Sequence, residues 1–263
     1  MSDSDRPRSP FARIADLAER KPVRVLSRNK IEQMLAAHRL YRETEYHEGH
    51  RADFSSVDLT EREFSGLDLR GVKMDRAVLR GADFSEANLR GGNLIGAIGQ
   101  QACFDRADLS RARLSGANLV LASFENACLA RAEMEFALMA NAVLQGACLG
   151  EADMSGAQLD RAMLTGADLR KANLRGAGLR GARLDAADLR DARLGSAFLA
   201  GASLRGADLR GAYLRLAKLD GADLSDANLE GAEGITRAQL DRAHRNVGTK
   251  LPEDLTGVED AKR

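Results

Sequence analysis

From residue 54 to residue 229 a large apolar residue recurs at every fifth position, with no insertion or deletion. There are 36 such centres; Leu, Phe or Met holds 35 of them and Gly99 is the exception. Two residues before the centre stands Ala in 31 of the 36, and from Ala102 to Ala227 it never fails. The five departures, Val57, Arg62, Leu67, Val72 and Gly92, all fall near the start. A period of five rules out the ordinary elements. On an α-helix these residues would spread around every face and leave no apolar stripe. On a flat strand they would change face at each repeat.

The pattern is satisfied only if the chain turns a corner every five residues. Four corners close a square coil of 20 residues. Centre and Ala then point inward and the other three positions face water. Gly, frequent two residues after the centre, suits the corner. The spacing predicts an all-β solenoid of about nine coils over 52–231, about 43 Å long at the usual strand spacing. A thin core of Leu and Ala also explains the absence of Trp from a chain of 263 residues. Stability is expected to accrue between neighbouring coils, as in other solenoids.

Read in fives, the chain runs GADLR at 166–170, then KANLR, GAGLR, GARLD, AADLR and DARLG. This resembles the pentapeptide-repeat family, whose motif is A(D/N)LXX. The resemblance covers about two-thirds of the chain. It implies a right-handed quadrilateral β-helix; the spacing itself does not give the hand. The stretch from Lys30 to Phe54 is similar to a leader associated with bacterial members.

A period of 20 sorts the residues into columns, one set per side. One column of centres begins Phe64, Phe84, Phe104, Phe124 and continues with Leu, so four rings are expected to stack inside the first coils. Beside the column Leu69 to Leu229, an Asp-rich row from Asp68 to Asn228 precedes the centres and an Arg-rich row from Arg70 to Glu230 follows them. The reading is a solvated, self-compensating side. Between residues 92 and 151 the outward positions turn apolar: Ile95, Ile98, Val120, Leu121, Phe136, Leu138 and Val143. Exposed apolar clusters on soluble proteins mark contact sites, so these seven are the candidate protein-contact patch. Local irregularity is the alternative, with Ile98 turning inward to fill the gap left by Gly99. Cys128 and Cys148 are expected to be stacked neighbours that bridge poorly, and Cys103 lies on another side, so no three-thiol metal site is expected.

The ends need covering, because an open solenoid exposes apolar core and unpaired edges. Residues 1–26 read as a flexible leader with a short helix at about 10–20. Within 27–51, Ser27 is positioned to cap a helix to about Thr44, with Ile31, Met34, Leu35, His38 and Tyr41 at helical spacing. In 232–263, Thr236 and Gln239 form a capping box for a helix to about Arg245, after which 248–255 lies on the last coil and 257–263 frays. These helices are expected to cap both ends.

No phosphate loop, nucleophile elbow or metal-ligand pair is present, and all four His lie outside the repeats. With no insertion in 52–231 to build a cleft, no enzyme is expected, and no cofactor or metal. There is no run of 18 apolar residues and no apolar core of a secretory signal. Three Cys without framework spacing fit a reducing cytoplasm. The expected role is a protein-interaction or scaffold module, its partner an unidentified protein or a second copy of the chain. The alternative comes from the resemblance: some members mimic duplex DNA and bind type II topoisomerases such as gyrase, protecting them from quinolones. Their rods are strongly acidic. Here 52–231 carries 25 Asp plus Glu against 22 Lys plus Arg, whereas a duplex about 43 Å long carries on the order of 25 negative charges. The chain as a whole has 39 of each sign, so no bulk charge holds it on nucleic acid.

Overall fold

A computed structural model describes residues 23–255. The readings made for 1–22 and 256–263, including the short helix at 10–20 and the frayed terminus, lie outside the described residues. Along the repeats each residue before a centre pairs in parallel with the residue 20 positions on, from Asp53–Lys73 to Tyr213–Glu233. Four such columns exist, and they define four walls. We call them A (bridging row 53 to 233), B (row 58 to 218), C (row 63 to 223) and D (row 68 to 228). Within each wall a single residue bridges, so the coils are joined by short, regular hydrogen bonds. Leu79 donates to the Ile98 carbonyl at 2.7 Å and Ile98 to that of Ala77 at 2.8 Å.

Each corner is a hydrogen-bonded turn, such as Ala77 N–H to the Met74 carbonyl at 3.0 Å. The residue two after the centre carries a positive φ, between +54° and +70°, at every corner. That is the turn geometry that favours Gly, and it is the physical reason for the repeat's Gly. All 36 centres are buried, at 2 % exposure or less wherever an apolar side chain stands. The Ala positions are equally closed through the body of the rod. Each buried Leu stabilises by roughly 1.5–3 kcal/mol. Within wall C, Phe64, Phe84, Phe104 and Phe124 lie ring over ring at 4.8, 5.0 and 4.9 Å, within 6° of parallel.

At the start, Arg24 pairs with Val57. Helix α1 (Arg28–Glu43) follows, its first turn closed by the Ser27 hydroxyl, which accepts from Lys30 N–H at 3.3 Å. Its inner face buries Ile31 and His38, with Met34 and Leu35 against the core. The Ala52 N–H donates to His38 Nδ1 at 3.2 Å. That bond ties the helix to the first repeat and fixes the neutral ring as acceptor, and burial pushes the His38 pKa below its ordinary value.

At the far end, the Thr236–Gln239 capping box opens helix α2 (Arg237–Leu240). This helix is shorter than the expected run to Arg245. The chain leaves it because the last coil still has unpaired edge groups. His244 pairs with Asp223 and Lys250 with Asn228, continuing two of the wall ladders. The Gln239 Nε2 donates to the Leu214 and Ala217 carbonyls at 3.1 and 2.9 Å. Ladder bonds on an open edge outweigh a few more residues of a short, unsupported helix. A 3-10 turn (Glu253–Leu255) closes the described chain, with Leu251 and Leu255 packed on the core.

Candidate protein-contact surface

Wall D is the charged side. On it Asp68, Asp168, Asp188 and Asp208 are each gripped by the Arg two residues on. Arg170 Nε and Nη2 reach the two oxygens of Asp168 at 2.8 and 2.7 Å, and Arg190 grips Asp188 at 2.9 and 2.6 Å. Two of these arginines also approach the Asp of the next coil, Arg170 to Asp188 and Arg190 to Asp208, both at 3.7 Å. The ladder therefore zigzags between coils. The arginine side-chain hydrogen bonds hold the carboxyls of Asp68, Asp168 and Asp208 below the usual aspartate range. In mid-rod the ladder gives way to small residues. Cys128 and Cys148 are bridged neighbours and remain free thiols, both half-buried, with the Ser110 hydroxyl 3.2 Å from the Cys128 sulfur. Burial pushes the thiols of Cys103 and Cys148 up, which makes them poor nucleophiles.

Wall B is the apolar side. Its bridging row reads Asp58, Val78, Ile98, Asn118, Leu138, Gln158, Gly178, Phe198, Lys218, apolar between its two charged ends except for Asn118, Gln158 and Gly178. Of the seven residues singled out above, Ile98, Val120 and Leu138 lie on this wall and are half-buried. Phe136 and Leu121 occupy its two corners and are exposed, at 36 % and 52 %. Ile95 is on wall A and Val143 on wall C, both half-buried. Ile98 does not turn inward. It keeps its outward bridges to Val78 and Asn118 while Gly99 stays buried behind it. A Cβ on Gly99 would come within 3.1 Å of Leu119 Cδ2, so the leucine of the next coil already takes up the space.

The corner residues are held in place. The Phe136 ring lies over Gly156 of the next coil, where an added Cβ would meet it at 2.6 Å. Two apolar members of the row fall outside 92–151: Val78, which is buried, and Phe198, exposed at 37 %. The Arg180 guanidinium sits 4.5 Å from the Phe198 ring centre. Reading the row at intervals of 20 along its whole length finds both.

Residues 63–191 and 197–233 match the model for pentapeptide repeats, in eight copies. The chain belongs to the pentapeptide-repeat family. Proteins of this family fold as right-handed quadrilateral β-helices, which gives the four walls their hand. Among solved structures, the chain is similar to HetL, a pentapeptide-repeat protein involved in heterocyst differentiation regulation in the cyanobacterium Nostoc sp. strain PCC 7120. The two are 31 % identical over 81 % of this chain and 91 % of HetL, with a TM-score of 0.44. It is similar also to QnrB1, a plasmid-mediated fluoroquinolone resistance protein, at 22 % identity over 75 % of this chain and 90 % of that one, TM-score 0.41. A third, alr5209 from Nostoc PCC 7120, is 35 % identical over 41 % of this chain and 84 % of its own, TM-score 0.31. No curated protein matches. Among the described residues of this pentapeptide-repeat chain, no helix is long and apolar enough to cross a membrane, and no group of three His, Cys, Asp or Glu side chains could hold a metal ion.

Proposed function

We propose that this pentapeptide-repeat chain is a non-enzymatic protein-interaction or scaffold module, and that a partner protein docks on the apolar middle of wall B. The observation that carries this reading is the pair of corner residues Leu121 and Phe136. Both have left-handed backbones, with φ of +62° and +57°, where a bulky side chain is strained by of order 1–3 kcal/mol. Both are also exposed to water. Gly would relieve both penalties, and Gly holds many of the other corners. Between these two corners lie Val120 and Leu138, so the apolar strip crosses the full width of the wall.

The rod in this proposal is nine coils over 52–231. Residues 27–51 and 232–255 cover its ends, supported by the buried Ile31 and His38 and by the Gln239 bonds to the last coil. Catalysis, cofactor and metal have no part in it, since the unbroken register leaves flat walls without a loop. A reducing cytoplasm suits three half-buried free thiols. The gyrase reading gains no support from wall D, where four aspartates are each held by an arginine rather than bared as a phosphate-like row. The test is capture of partners from the native cytoplasm by the wild-type chain and by Leu138→Glu. Loss of a specific partner from a folded variant is expected. Identical capture by both chains would overturn the proposal.

A further inference from the structure

Wall A carries its charge unevenly. The rows from 113 to 155 present Arg113 against Glu133, Glu135 and Asp153. The rows from 173 to 233 present Arg175, Arg193 and Arg215 against Glu233. The first stretch is net negative by two charges and the second net positive by two. The three arginines are exposed. Unlike those of wall D, they have no carboxylate within ion-pair distance among the described residues. Two large apolar groups share this wall: Tyr213, and Leu216 at its corner with wall B, exposed at 38 % and 62 %. The Tyr213 ring lies flat over Gly195, where a Cβ would meet it at 3.2 Å. The wall therefore stays level. Leu216, like Phe136, has a left-handed backbone, with φ of +62°.

We propose that wall A is self-complementary and joins two copies of this chain in an antiparallel homodimer. A two-fold axis along the strand at 173–175 brings each column against itself with the coil order reversed. Columns 53, 55 and the corner are continuous through this region, so the register fixes every contact. Asp153 meets Arg193 of the second copy, Glu135 meets Arg215, and Arg113, which also pairs with Glu133 of its own chain at 3.1 Å, meets Glu233. Glu133 faces the Tyr213 hydroxyl, and Phe136 packs against Leu216. Each contact occurs twice, as an isologous interface requires. Like charges oppose association at three places: Arg175 and, at the corner with wall D, Lys171 each face their own copy on the axis, and Glu151 faces Asp191. The strip is one wall wide and about 29 Å from first to last strand, less than the ~800 Å² per partner of a standard interface. The dimer is therefore weak and salt-sensitive, since exposed charges are screened beyond ~8 Å at physiological ionic strength.

Sedimentation of the full chain over a concentration series, at low and high salt, tests this. The wild type is expected to dimerise at low salt and dissociate as salt rises. Glu135→Arg with Asp153→Arg is expected to remain monomeric, as is Arg193→Glu with Arg215→Glu. An equal mixture of the two double variants is expected to dimerise again, which a folding defect in either would prevent. Arg175→Ala removes one of the like charges on the axis and is expected to tighten the dimer several-fold. Leu138→Glu, on the neighbouring wall, is expected to leave it unchanged, so this result is separable from the proposal for wall B. A wild type that is monomeric throughout the low-salt series would overturn the inference. So would a mixture that fails to associate, or an Arg175→Ala variant that associates more weakly.

Discussion

The phenylalanine stack inside wall C and the aspartate–arginine ladder outside wall D are built on one backbone spacing. The first is sealed from water and the second stands in it. Aromatic pairs favour offset stacking or edge-on contact with centroids about 4.5–7 Å apart; Phe64 to Phe124 lie nearly parallel at 4.8–5.0 Å, a spacing that the 20-residue coil repeat sets. Their stabilisation comes from removing the rings from water. The ladder has better individual geometry, with paired hydrogen bonds at each step, but water and salt compete for every charge. Periodic packing therefore holds this rod together far more strongly in its interior than on its walls. The walls are left open to other uses: neutralised on D, apolar in the middle of B, and oppositely charged on A between its middle and its last coils.

The sharpest way to break this comparison is to remove one ring. Phe104→Ala takes a side chain from the middle of the stack and is expected to destabilise the protein by about 3–5 kcal/mol, read by chemical denaturation. Next comes the end of the rod. Gln239→Ala leaves the Ala217 carbonyl without its donor and the Leu214 carbonyl with only the Ala217 N–H, and is expected to lower stability by about 1–3 kcal/mol, with faster amide exchange confined to the last coils. On wall D, Asp208→Ala is expected to lower stability by no more than about 1 kcal/mol. A loss equal to that of Phe104→Ala would invert the ranking of inside over outside.

The ladder also has a pH signature. Asp68, Asp168 and Asp208 are held below the ordinary aspartate pKa, chiefly by hydrogen bonds from their arginines. Their stabilisation is complete above about pH 3.9, the unfolded value, and is lost as pH falls through the folded values. The triple Asp→Asn variant is expected to show a shallower loss of stability in that acid range, measured by denaturation at a series of pH values. The smallest effect on stability is expected from Leu138→Glu, within about 0.5 kcal/mol of wild type, even though the same change is expected to abolish partner capture.

Much of the fold was legible because an unbroken period leaves no freedom. Once Leu69 is a centre and no residue is inserted, the columns of Asp208, Leu138 and Arg193 all follow. Burial at the Ala positions follows as well. The N-terminal helix was legible in Ser27 and the spacing of Ile31 and His38, because capping and amphipathic spacing are local. The second helix was less so. Its start lay in Thr236 and Gln239, but its end depended on the free edge groups of a coil distant in sequence. The apolar wall was legible only in part. Phe198 lies three coils beyond Leu138 in the same row, and its exposure depends on where the Arg180 side chain rests.

The sequence alone determined the four-walled coil and the column of every residue within the repeats, since a five-residue period without a gap forces a corner at every fifth residue; the hand of the coil came from the family. Only the tertiary structure decided what each wall presents. It folded the ladder arginines back onto their own aspartates, kept Ile98 outward with the Leu119 side chain behind it, laid the Phe136 ring over Gly156, and left Arg175, Arg193 and Arg215 with no carboxylate at ion-pair distance among the described residues. Those outcomes depend on side-chain reach and on neighbours 20 residues away, which the period brings together but does not choose.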